Sequence, residues 1–102
     1  MYEILFSFQA ENEIEDAAQW YESQRKGLGF EFSLAFDEAL HFLETNPKMY
    51  AVIYKEVRSV LLKKFPYSIF YILSESKKEV YIFAVIHSSR DPEIWQSRVE
   101  LT

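Results

Sequence analysis

Apolar positions recur along this chain with two different periods, and the change falls near Tyr50. Before it, Ile14, Ala17, Ala18 and Tyr21 return at helical spacing, and so do Phe32, Ala35, Phe36, Ala39, Leu40 and Leu43. Asn12 can cap the first of these helices, with Glu15 three residues on to return the bond. Glu11, Glu13, Glu15 and Asp16 suit its positive end, and Arg25 and Lys26 its negative end. Gly27-Leu28-Gly29 breaks it, and Asn46-Pro47 stops the second helix. So short a break predicts an antiparallel helical pair. Ahead of the pair, Tyr2 to Phe8 reads as a strand.

After Tyr50 the period drops to two. Val52 to Lys63, Tyr67 to Leu73 and Glu79 to His87 read as three strands, punctuated by Phe65-Pro66 and by Ser74 to Lys78. Short connections predict antiparallel neighbours. Asp91-Pro92-Glu93 can open a short helix carrying Ile94, Trp95 and Arg98. The predicted architecture is α+β: a small antiparallel sheet in the order β-α-α-β-β-β plus a short C-terminal helix, with the helical hairpin packed on one face. One domain spans residues 1–102.

The strands carry apolar side chains on both faces. In FPYSIFYIL (65–73), Tyr67, Ile69, Tyr71 and Leu73 share one face while Phe70 and Ile72 lie on the other. In the last strand, alternation sets Val80, Ile82, Ala84 and Ile86 against Tyr81, Phe83 and Val85. The hairpin covers one side only. The terminal segment, a second chain or a ligand must cover the other, which makes Phe70, Ile72, Tyr81, Phe83 and Trp95 candidate partner-binding residues. Trp95 also fits as a core plug beneath the sheet. A homodimer is a further way to close such a face.

Composition narrows the chemistry. There is no cysteine, which excludes disulfides and thiolate metal sites, and two distant histidines make no metal motif. No metal or cofactor is expected. The N-terminus is apolar but lacks a positive leader, and no apolar run approaches the ~20 residues of a membrane helix, so a cytoplasmic protein is expected. The net charge of −5 conceals a split: ten acidic and two basic residues up to Pro47, six acidic and nine basic from Lys48 onward. A positive surface in the second half can attract phosphate or an acidic partner despite the overall sign.

The order of elements, "GLG" between the helices and "ETNPKMY" after them resemble the RelE/ParE superfamily of bacterial toxins. The run VRSVLLKKFPYSIFY (57–71), followed by VIHSSRDPEIWQSR (85–98), resembles its plasmid-stabilisation branch. The resemblance spans essentially the whole chain. It implies a growth-inhibiting toxin of a type II toxin–antitoxin module, held inactive by a cognate antitoxin. Members of the ParE type inhibit DNA gyrase by protein binding, whereas members of the RelE type cut mRNA on the ribosome without a metal. A degenerate relative without toxicity is the third possibility.

For RNA cleavage the resemblance singles out His87 as an acid or base, Arg58 and Arg90 as phosphate contacts and Tyr67 as a donor or stacking partner. Lys63, Lys64 and Arg58 are the candidate nucleic-acid contacts. The chain departs from the nuclease pattern at Ser68, where those enzymes carry an arginine. Serine offers no guanidinium fork, and losing one preorganised donor typically costs about 10²–10³ in rate. Plainer roles stand beside these: His87 bonding the loop after its strand, Arg90 pairing with Asp91, Lys63 and Lys64 guarding a sheet edge, and His41 serving the second helix. The departures favour action by protein binding.

Overall fold

The computed structural model describes residues 1–100. Its elements in chain order are β1 (Glu3–Phe6), α1 (Phe8–Gln24), α2 (Leu28–Thr45), β2 (Val52–Tyr54), β3 (Val57–Leu61), β4 (Tyr67–Ser74), β5 (Glu79–His87) and α3 (Glu93–Glu100). The strands form one sheet in the order β1-β5-β4-β3-β2. The α+β class stands, but the sheet is mixed. β1 runs parallel to β5, with Glu3 opposite Glu79 and Phe6 opposite Ile82, while the other pairs are antiparallel. No hairpin turn joins β1 to β5, so strand alternation carried no information about their direction.

Local chemistry moved several boundaries. Ser7 caps α1, its hydroxyl accepting the Ala10 N–H at 3.0 Å, so Asn12 and Glu15 lie inside the helix. The predicted strand 52–63 is two strands, because Lys55 turns into the left-handed region (φ 51°) and Tyr54 pairs with Val57. Between the helices, Gly27 takes φ 90°, and the Glu22 carboxylate accepts the N–H groups of Gly27 and Gly29 at 3.0 Å each. A Cβ on Gly29 would stand 2.6 Å from the Ala18 carbonyl oxygen, so this glycine lets the two helices close up.

The hairpin buries Phe32, Leu43, Ile69, Tyr71 and Ile82 against one face of the sheet. Tyr21, Phe32, Phe65 and Tyr67 form an aromatic cluster there, with ring centroids 4.8–6.0 Å apart. Much of the tyrosine content is therefore core. The Tyr71 hydroxyl, fully buried, donates to the Pro47 carbonyl at 2.7 Å. Burial pushes its pKa up to about 12.

The opposite face is covered by α3. Trp95 stacks on Phe70 at 4.6 Å and meets the Tyr54 ring edge-on at 5.7 Å. Together with Val57, Phe83, Ala84 and Ile86 they form a second core. This corrects the reading of Phe70, Phe83 and Trp95 as surface for a partner: the terminal helix, the first of the three covers considered, hides them. Ile72 is half-buried, and Tyr81, at 42% exposed, remains open to solvent.

A β-bulge resets the faces of β5. Phe70 pairs with Ala84 but Tyr71 pairs with Ile82, which leaves Phe83 as an extra residue. Val80, Ile82 and Val85 consequently face the hairpin, while Phe83, Ala84 and Ile86 face α3. Strict alternation had put Ala84 and Ile86 with Ile82. The reversal also turns His87 toward the hairpin side.

Candidate functional site

That turn brings His87 opposite Tyr67 on β4, with the two rings 5.2 Å apart and nearly perpendicular. The loop after β5 folds back on itself. The His87 Nδ1 accepts the Ser89 N–H at 3.0 Å and lies 2.8 Å from the Ser89 hydroxyl. In the neutral ring this bonding leaves the proton on Nε2. Ser88 donates its N–H to the Pro66 carbonyl at 2.7 Å, fastening this loop to the one before β4. His87 thus has the loop-bonding role that the sequence offered beside catalysis.

Around His87 lies a cleft of about 310 Å³, lined by Asp16, Trp20, Tyr67, Arg90 and the Glu13–Arg98 pair among others. Trp20 is 57% exposed at its rim. The Arg90 side chain makes no ion pair among the described residues, and Asp91 instead accepts the Glu93 N–H at 2.9 Å as the cap of α3. Burial raises the Tyr67 phenol pKa, against the opposing pull of Arg90. Asp16 gives this cleft a carboxylate, which opposes the approach of a phosphate.

The remaining sequence candidates lie elsewhere. Arg58 pairs with Tyr71, four residues along β4 from the partner of His87, so it lies that far along the sheet and two strands across from the histidine. Its guanidinium donates to the carbonyls of Tyr50 at 2.5 Å and Lys48 at 3.2 Å, holding the α2–β2 connection. Lys63 is ion-paired with Glu38 at 2.8 Å, which raises the lysine pKa and lowers that of the acid. Lys64 sits in the β3–β4 loop with φ 70°. Ser68 pairs with Ile86 on the face opposite Tyr67. The structure therefore gathers His87, Tyr67 and Arg90 in one cleft and leaves Arg58 and Lys63 out of it.

A second hollow is lined mostly by residues that sequence reasoning did not assign to a site. Ala35, Ala39 and Phe42 of α2 face Val60, Leu61 and Leu62 across a groove of about 380 Å³, with Tyr50 at one side. Two alanines keep the helix wall low. Among the described residues β2 pairs only with Val57 and Arg58, and no strand pairs with the outer edge of β3 from Ser59 to Leu61 alongside the groove. Leu61 is 62% and Phe42 38% exposed. The available signal was the alanine spacing on α2, but the shortness of β2 was hidden by the Lys55 turn.

Solved structures share this architecture. The chromosomal ParDE system of P. aeruginosa superposes with a TM-score of 0.72 at 15% identity, covering 85% of this chain and 96% of that one. The E. coli RelBE toxin–antitoxin complex gives 0.65 at 15% identity over 88% and 100%, and isolated E. coli RelE toxin 0.63 at 13% over the whole of both. At such identities the likeness establishes a RelE/ParE toxin fold. The family model of the ParE toxin of type II toxin–antitoxin systems (parDE) matches residues 4–92. The chain belongs to that family of toxins. No curated protein matches it significantly.

Proposed function

We propose that this toxin acts by binding a protein target of the gyrase type in the cytoplasm, without cleaving RNA, and that an antitoxin segment seated in the α2–β3 groove holds it inactive. The observation that carries the first part is the position of Arg58. A metal-free RNA cleavage needs an acid or base and a cation on the same phosphate. Here the guanidinium is held by two backbone carbonyls, and Arg58 lies two strands across the sheet from His87 and four residues further along it. Ser68 supplies no replacement, and the Nδ1 of His87 is occupied by Ser89. The family match to ParE toxins supports the same side.

The antitoxin reading rests on the groove. An apolar trough beside an open strand edge suits an extended segment that adds backbone hydrogen bonds and sets alternate side chains into the trough. The P. aeruginosa ParDE and E. coli RelBE structures are of toxin–antitoxin systems. One observation favours the alternative, a ribosome-dependent endoribonuclease: His87, Tyr67 and Arg90 do share a cleft.

Expression without antitoxin, scoring growth, mRNA cleavage and DNA supercoiling together, separates the two. The expected result is growth arrest with altered supercoiling, intact mRNA, and toxicity that survives His87→Ala. Cleavage of ribosome-bound mRNA that His87→Ala abolishes would overturn the proposal.

A further inference from the structure

The outer face of α2 carries an apolar ridge that the rest of the fold leaves bare. Phe30 and Leu34 stand one helical turn apart on it, 67% and 52% exposed. Neither lines the His87 cleft or the α2–β3 groove. At 3.6 residues per turn they point about a third of a turn away from Ala35, Ala39 and Phe42, which form the groove wall. An amphipathic helix packed by its other face has no use for two large apolar residues side by side in water.

The ridge has charges of opposite sign at its two ends. Lys26, in the turn that opens α2, precedes Phe30 by four residues, and Asp37 follows Leu34 by three. Both are exposed, and neither makes an ion pair among the described residues. The charges around them are already paired: Arg25 with Glu31 at 3.2 Å, Glu38 with Lys63 at 2.8 Å, and His41 with Glu44 at 3.4 Å. A free base at one end and a free acid at the other make the ridge complementary to a copy of itself turned through half a rotation. Phe30 of each copy then meets Leu34 of the other. In the same antiparallel register Lys26 of each copy falls opposite Asp37 of the other. Twofold contacts of this self-complementary kind are the commonest symmetry among soluble oligomers.

We propose that this ridge is the contact of a weak twofold homodimer, with Phe30 and Leu34 at its centre and Lys26 and Asp37 fixing the register. Exposed ion pairs add little strength but select the orientation in which both are made. Two apolar side chains cover only part of the ~800 Å² per partner that a stable complex buries, so the dimer forms at high concentration and dissolves on dilution. The groove wall lies elsewhere on α2, so each copy keeps its α2–β3 groove free. The dimer does not depend on which cellular target the toxin has.

Sedimentation velocity on the purified full chain tests it over about 10 μM to 1 mM, with the dissociation constant expected inside that span. Leu34→Asp, at an exposed site, should leave the melting temperature nearly unchanged and the chain monomeric throughout. Lys26→Glu and Asp37→Lys should each raise the dissociation constant roughly 3- to 30-fold at low salt, since each sets two like-charged pairs across the twofold. Combining the two reversals restores opposite charges and should return the constant to within about threefold of the wild type. A wild-type chain that stays monomeric to the top of the range would assign the ridge to a different protein and overturn the proposal. So would a dimer that Leu34→Asp leaves intact, or single reversals that the double variant does not rescue.

Discussion

Trp95→Ala measures how much of the molecule rests on its terminal helix. The indole is 7% exposed and lies flat on Phe70, with Tyr54 against its edge. A buried tryptophan removes about 150–250 Å² from water, which at ~25 cal/mol per Å² is about 4–6 kcal/mol as an upper value. Measured truncations of this kind cost about 3–5 kcal/mol. Domains of this size have about 5–15 kcal/mol in total, so the loss consumes a large part of the margin. Taking about 3 kcal/mol, the melting temperature should fall by roughly 12–24 °C. Urea unfolding followed by far-ultraviolet circular dichroism reads the change without relying on the deleted fluorophore. Trp20→Ala is the control: that ring is 57% exposed, and its removal should stay within about 0.5 kcal/mol. A loss below about 1 kcal/mol for Trp95→Ala, or equal losses at both tryptophans, would refute the argument that α3 completes a second core.

Three other outcomes can be checked separately. Gly29→Ala should destabilise by about 1–3 kcal/mol in the same assay, because its Cβ would meet the Ala18 backbone carbonyl and that atom cannot swing aside. Glu75 is held at a pKa of about 2, below its ordinary 4.5, by hydrogen bonds from Lys48, Lys78 and Tyr2. A depressed acid stabilises the fold above its unfolded pKa and loses that contribution as pH falls toward the folded value. Stability measured from pH 5 to pH 2 should therefore decline less steeply in Glu75→Gln than in the wild type. Leu61→Asp should abolish antitoxin binding in a pull-down while leaving the melting temperature nearly unchanged, since Leu61 is 62% exposed in the groove.

The helical hairpin and the three C-terminal strands were legible because their apolar residues recur at clean periods over long stretches. Asp91 and Pro92 likewise announced α3, and the double-sided strands announced that something must cover the second face. What escaped depended on single residues or on pairing between distant segments. Ser7 looked like part of a strand, though its hydroxyl ends that strand and starts α1. Phe83 fits an alternating pattern in either register, so nothing local marked it as the extra residue of a bulge. That one residue decides which side His87 serves. Arg58 looked like a phosphate ligand because its charge was visible, whereas the two carbonyls that claim it come from a loop eight and ten residues away. The residues that line the groove were hidden for a related reason: its open side is made by what β2 does not reach.

The pairing of the first strand with the fifth has a consequence for synthesis. Glu3 sits beside Glu79, so β1 has no seat until β5 has been translated. Contacts between such distant segments also form slowly. A chain halted after β4 would hold a helical pair and a partial meander, with its leading segment loose and Tyr71 lacking a neighbour on one side. The complete five-stranded sheet is thereby deferred until β5 has been made.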